Sequence, residues 1–154
     1  MADRPTVMDE FLEVAHLSCI GTLNPDGSIH MVPVTPLFDA ENGTFFVSTG
    51  AESVTYRNLK KNPAVTLCVD DYKFPYRAVI VQGKAEVTDP LGLDHEGIKR
   101  VVDHSSGPGM WENFYVNTPP AARIRVRITV IPEKWIWWDN RRKIKGSKRI
   151  AQSR

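Results

Sequence analysis

Cysteine is scarce in this sequence: Cys19 and Cys68 are the only two, and each sits inside an apolar run, HLSCIGTL and AVTLCVDD. That context predicts small buried hydrophobes and excludes a disulfide scaffold. No stretch approaches the roughly 18 apolar residues of a membrane span, and MADRPTVMDEF lacks the basic-then-apolar layout of a signal peptide. The expectation is a cytoplasmic protein with no membrane partner. His16, His30, His95 and His104 do not fall into HxxxH, HExxH or Cys/His ligand spacings, which leaves no support for a metal site. Neither GxGxxG nor GxxxxGK[ST] is present, so the common dinucleotide and P-loop cradles are excluded. No catalytic triad is visible either.

Charge of one sign is also lacking. The net charge is +2, with much of the positive excess in Arg141, Arg142, Lys143, Lys145, Lys148, Arg149 and Arg154. Such a tail suits nucleic acid, an anionic ligand or plain solvation. No basic stripe interleaved with aromatics runs through the rest of the chain, so no nucleic-acid partner is expected. What is present is an ordinary globular composition, 42% hydrophobic and 25% charged with four tryptophans in 154 residues. That length supports a single domain, read as residues 1–140 followed by a basic tail, 141–154.

Along the chain the signal is mostly strand. Thr6 to His16 reads as a short amphipathic helix, with Thr6 as N-cap and Val7, Phe11, Val14 and Ala15 at helical spacing. SCIGTL and SIHMVPVTPLF then flank Asn24-Pro25-Asp26-Gly27, and MVPVTPLF and TFFVSTG flank Asp39 to Gly43, giving two hairpins. Pro33 and Pro36 cannot donate ladder hydrogen bonds, which places their strand at an edge or a bulge. Glu52 to Lys61 predicts a short helix ended by Pro63, with Val54, Asn58 and Lys61 on one side. AVTLCVDD and YRAVIVQGKAEVTD predict two strands, the second with a bulge or close approach at Gly83. Pro90 to His104 predicts a helix, Ser105 to Pro120 a loop rich in aromatics, and ARIRVRITVIP a strand that EKWIWWDN extends. Strands adjacent in sequence, six or seven of them, favour an antiparallel barrel with helices at its ends over a βαβ sheet.

Two constellations carry chemistry. In the first, Ser48 to Leu59 runs from a strand through a polar turn into a helix, where hydroxyls, N–H groups at the helix start and Arg57 could bind a phosphate. The same residues also suit simple capping by Ser53 with Arg57 in solvent. The second is aromatic: Tyr72, Phe74, Tyr76, Trp111, Phe114, Tyr115, Trp135, Trp137 and Trp138 suit stacking on a planar ligand, or core and dimer packing.

Four blocks in order, IGTLNPDGSIHMVPV, FVSTGAESVTYRNLKKNPAVTLCVDD, YRAVIVQGKAEVTD and RIRVRITVIPEKWIWWD, resemble the pyridoxamine 5′-phosphate oxidase-like split barrels, especially their flavin and deazaflavin oxidoreductases. The resemblance covers about residues 8 to 139. It implies a mainly β, antiparallel split β-barrel that pairs as a homodimer, with FMN or the deazaflavin F420 at the interface and a small-molecule substrate. It also implies that the strand-turn-helix segment cradles the cofactor phosphate through Ser48, Thr49, Ser53, Thr55 and Arg57. The strand from His30 to Val34, with Val32 and Pro33, would lie along the ring, and Tyr76 and Arg77 would complete the site, Arg77 from a second subunit. The resemblance assigns no catalytic side chain. One departure bears on affinity: the family carries a basic residue near position 53 or 54 and a lysine three residues before the asparagine, where this chain has Ser53, Val54 and Thr55. Losing two charge-assisted contacts weakens binding about tenfold to several hundredfold unless Arg57, Lys60, Lys61, Arg77 or the tail compensates. The competing reading is a non-catalytic split-barrel dimer that binds or carries a flavin, haem or tetrapyrrole.

Overall fold

The protein is seen in a computed structural model that describes residues 4–14 and 16–141. Eight strands are found among them: β1 (Ser18–Leu23), β2 (Ile29–Val34), β3 (Leu37–Asp39), β4 (Thr44–Gly50), β5 (Ala64–Asp70), β6 (Arg77–Val87), β7 (Leu91–Gly92) and β8 (Ile124–Asp139). Four α-helices accompany them: α1 (Asp9–Leu12), α2 (Val54–Lys61), α3 (Glu96–Ser106) and α4 (Trp111–Asn117). All pairings are antiparallel, in the order β2-β1-β5-β6-β8-β4-β3, with β7 also on β8. Sixteen residues long, β8 pairs β4 with its first half and β6 along most of its length, so it is the spine on which the sheet curls.

Hairpin chemistry places the first elements as expected. Asp26 accepts from the Ser28 N–H, and Gly27 takes φ 84°, a left-handed conformation in which glycine avoids the Cβ penalty. The stretch MVPVTPLF is not one strand, however. It breaks at Thr35-Pro36 into β2 and β3, which lie at opposite ends of the sheet order and leave the barrel split between them. Pro33 fits β2 for a definite reason. Asn24 donates to the Ser28 carbonyl, so along this ladder the even residues of β1 exchange bonds with β2. Pro33 faces the odd residue Cys19, where no N–H is asked of it.

The interior is filled by one face of each strand: Ile20, Phe45, Val47, Leu67, Val81, Ile128, Val130 and Trp135 are all buried in a single cluster with Met8, Phe11 and Leu12. Burial of such side chains contributes about 1.5–3 kcal/mol each, which is why the period-two pattern controls the register. The bulge expected at Gly83 is present between Gln82 and Gly83, and it has a steric cause. A Cβ there would come within 2.1 Å of the Ile131 carbonyl oxygen, so only glycine lets β6 approach β8 so closely.

Several sequence-based expectations are corrected. Thr6 makes no side-chain cap; it opens a 3-10 turn, Thr6–Met8, that leads into the four-residue α1. Val7 and Val14 are exposed while Met8, Phe11 and Leu12 are buried, and Ala15 lies outside the described residues. The helix expected from Pro90 begins only at Glu96, because Leu91 and Gly92 pair with β8 first, and His95 caps it by accepting from the Gly97 N–H. Within the expected loop 105–120, α4 forms and packs Trp111, Phe114 and Tyr115 against Leu93, Ile98 and Val102. The cysteines are not core residues: Cys19 is exposed and Cys68 half-buried. Of the basic tail only Arg141 is described, held on Asp139; residues 142–154 lie outside the described residues.

Candidate functional site

Helix α2 starts where the polar turn after β4 ends. Ser53, extended at φ −69° and ψ 150°, accepts the Tyr56 N–H on its Oγ at 3.1 Å, and Lys60 and Lys61 stand in the last turn, where the helix dipole favours cations. Its buried face is Thr55, Tyr56, Asn58 and Leu59, not the stripe of Val54, Asn58 and Lys61 that spacing suggested. Asn58, 4% exposed, fixes the helix: its Nδ2 donates to Thr22 Oγ1 at 3.1 Å and to Asn24 Oδ1 at 2.9 Å. Thr22 is the cross-strand partner of His30, so α2 and the start of β2 meet at one end of the barrel.

The structure sorts the residues singled out in the sequence into three places. Ser48, Thr49, Ser53, Thr55 and Arg57 do gather around the turn between β4 and α2. Within that group Thr55 is 2% exposed, so its hydroxyl faces the interior and not a ligand. Arg57 is exposed and donates to the Glu52 carbonyl at 3.0 Å. Residues His30 to Val34 do not present one surface. Strand alternation turns His30, Val32 and Val34 to one face, with Val32 and Val34 packed on the core, and turns Pro33 to the other with Ile29 and Met31. A ring lying along β2 therefore meets either set, not both.

Tyr76 and Arg77 stand at the opposite end of the barrel within the same chain. Arg77 opens β6 beside Asp70, with its guanidinium 4.6 Å from the Phe11 ring and doubly hydrogen-bonded to Asp71, whose carboxyl it holds below the usual carboxylate range. Tyr76 is exposed and meets Phe74 edge to face at 5.8 Å. The other aromatics divide as well. Trp135 and Trp137 are core, whereas Tyr72 and Phe74 are 85% and 72% exposed.

Arg125 was missed by the sequence reading. It projects from β8 opposite Gly50 and donates from Nε to Ser48 Oγ at 3.1 Å and from a terminal nitrogen to the Ser48 carbonyl at 3.0 Å. Burial alone pushes its guanidinium pKa down from the ordinary value, and no carboxylate pairs with it among the described residues. The signal was the alternation of bases in ARIRVRITV, which read only as a wet strand face. Elsewhere, Gly21, Leu23, Ile29, Met31, Thr66 and Gly83 contribute to an open groove of about 580 Å³ on the outer face of β1, β2, β5 and β6. Of the strand His30 to Val34 only Met31 lines it, together with the bulge glycine Gly83. No group of three His, Cys, Asp or Glu is placed to hold a metal among the described residues, and none of their helices is long and apolar enough to cross a membrane.

With the barrel and the strand-turn-helix in place, a family model described as pyridoxamine 5′-phosphate oxidase matches residues 5–139. The chain belongs to this family. Among solved structures of the fold, one described as an F420 reductase is 28% identical, covers 82% of this chain and 94% of its own, and superposes with a TM-score of 0.64. A conserved hypothetical protein of Mycobacterium tuberculosis is 20% identical over 97% of this chain and 91% of its own, with a TM-score of 0.71. A FAD-binding protein of Mesorhizobium loti is 17% identical over 86% of this chain and 92% of its own, with a TM-score of 0.59. No curated protein matches the sequence. These solved neighbours thus span a named reductase, a FAD-binding protein and a conserved hypothetical protein.

Proposed function

We propose that this protein is a cytoplasmic, homodimeric oxidoreductase that binds F420 or FMN at the subunit interface and acts on a small molecule. The observation that carries the reading is the turn from β4 into α2. There the hydroxyls of Ser48 and Ser53 keep a proton to donate after accepting from Arg125 and Tyr56. Two guanidinia, Arg57 and Arg125, stand near that turn without a carboxylate partner among the described residues. That donor set suits a phosphate, and it offers cations where the helix itself has Val54 and Thr55. The bound cofactor would supply the hydride chemistry. The protein's part is to hold the phosphate at this turn and to shelter the ring against the exposed apolar side of β2, Ile29, Met31 and Pro33, with a second copy closing over it. The 28% identity to an F420 reductase favours the deazaflavin of the two.

A second reading, a split-barrel dimer that carries a planar ligand without turnover, is favoured by one observation. Thr55, where the family places a phosphate lysine, is both uncharged and buried. The two readings part in a simple experiment. The protein is purified from a host that makes both cofactors, its visible spectrum is recorded, and reduction of the bound chromophore by reduced F420 or a nicotinamide donor is followed. The expected result is a flavin or deazaflavin band lost on denaturation and bleached on reduction. A colourless protein that takes up neither cofactor on titration overturns the first reading, and a bound chromophore inert to every reductant favours the second.

A further inference from the structure

Arg125 has a neighbour on β8 that the turn into α2 does not use. Val126 and Ile128 are buried, so Arg125 and Arg127 both stand on the outer face of the strand. In the ladder Arg125 lies opposite Gly50 and Arg127 opposite Ser48. Each side chain reaches two residues farther along β4, away from α2: Arg125 to Ser48, and Arg127 over the Phe46 ring at 5.0 Å. Two parallel guanidinia follow, about 6–7 Å apart, two residues of strand rise. Arg127 is the less satisfied of them. It is half-buried, its Nε is enclosed without a hydrogen-bond partner, and no carboxylate pairs with it among the described residues. Helix α3 of the same chain roofs it, since a Cβ on Gly97 would come within 2.9 Å of Arg127 Nη1. Gly97 belongs to the first turn of α3, whose positive end adds to the cation instead of offsetting it. A cation enclosed in this way, with no acid to answer it, is stabilised by an incoming anion. In the sheet order β8 and β4 lie far from β2, whose outer side a second copy would cover.

We propose that Arg127 receives a second anionic group of the ligand, attached beyond the phosphate on the side away from the ring. The proposal rests on the reading that a cofactor phosphate sits at the turn from β4 into α2. Along β4 the order is the turn, then Ser48 with Arg125, then Phe46 with Arg127, so Arg125 stands between a phosphate on the turn and Arg127. A cofactor that ends at its phosphate, as FMN does, leaves Arg127 unanswered. A further phosphate, as in FAD, or a carboxylate carried past the phosphate, as in F420, meets it through a charge-assisted hydrogen bond. Arg127 is then a specificity-determining residue that favours the longer anionic cofactors over FMN.

The test measures the affinity of the full chain for FMN, FAD and F420 by fluorescence titration, in wild type, Arg125→Met and Arg127→Met. Arg127→Met should weaken F420, FAD or both about tenfold and leave FMN within about twofold, whereas Arg125→Met should weaken every cofactor that binds. A loss confined to F420 assigns the second group as a carboxylate, and one confined to FAD assigns it as a phosphate. An equal loss for FMN, no loss for any of the three, or a wild type that binds FMN alone overturns the proposal. If wild type takes up none of them, the flavin-type reading fails, and calorimetry with inorganic phosphate and pyrophosphate decides the arginine pair by itself. Wild type should then bind pyrophosphate about tenfold more tightly than phosphate, a preference that Arg127→Met removes. Equal affinities for the two ions overturn the proposal. The same wild-type comparison decides if Arg127→Met fails to fold.

Discussion

The two ends of the barrel hold their arginines differently. At the end where α1 meets β6, Arg77 is committed to Asp71 and stacked on Phe11, and Arg141 is committed to Asp139. At the end where α2 meets β1 and β2, order comes from a neutral amide, Asn58, while Arg57 and Arg125 donate to the carbonyls of Glu52 and Ser48 and have no carboxylate partner among the described residues. A guanidinium that answers a carboxylate is a structural part. One that is half-buried and answered only by neutral oxygens is open to an anion.

The largest expected effect is at Asn58. Asn58→Ala leaves Thr22 and Asn24 without their donor, costs about 2–3 kcal/mol and lowers the Tm by roughly 5–10 °C, measured by thermal unfolding under circular dichroism. An unchanged Tm would show that the neutral lock does not hold this end. Next, Arg125→Met should weaken F420 or FMN binding about tenfold or more in a fluorescence titration, with the melting curve little altered. Arg77→Met should weaken it less, and the reverse order would break the contrast between the two ends. Arg57→Ala, at an exposed position, should lower cofactor affinity only several-fold, on the order of 1 kcal/mol, and leave the dimer folded by size-exclusion chromatography.

The smallest effect sharpens the comparison through pH. The folded-state pKa of Asp71 is depressed by Arg77, so the pair's stabilisation is present above the unfolded carboxylate value of about 3.9 and is lost as pH falls through the folded value. Urea midpoints of wild type and Arg77→Met should therefore differ near pH 7 and converge below about pH 4. A gap that persists in acid would mean that the Phe11 stacking, not the charge, carries the contribution.

How far the sequence could be read depended on whether a signal was local. The hairpin at Asp26-Gly27 and the Ser53 start of α2 are set by residues within a few positions of one another, and both were legible; the bulge at Gly83 was legible from the glycine alone, although its cause, the Ile131 carbonyl, lies on β8. Failures came where a distant partner decides. Two cysteines in apolar runs look like core, yet alternation places both on the outer face. Bases in ARIRVRITV look like solvated charge, yet β4 brings Ser48 against Arg125 across 77 positions of chain. The loop 105–120 lacked a legible helix because α4 gains its apolar support from Leu93, Ile98 and Val102, outside its own segment.

By itself the sequence determined the antiparallel barrel, since period-two burial and turn residues are chain-local and a one-residue slip would expose the core. It also determined the family, through four blocks in order within about residues 8 to 139, and the family model matches residues 5–139. Only the tertiary structure decided which of those residues share a place. Alternation divided His30 to Val34 between two faces, the strand order carried Arg77 to the far end from α2, and the long β8 carried Arg125 to the turn where the helix has Val54 and Thr55. The reason is physical: a side chain's type is written in the chain, but its neighbours are chosen by how the whole sheet closes around its core.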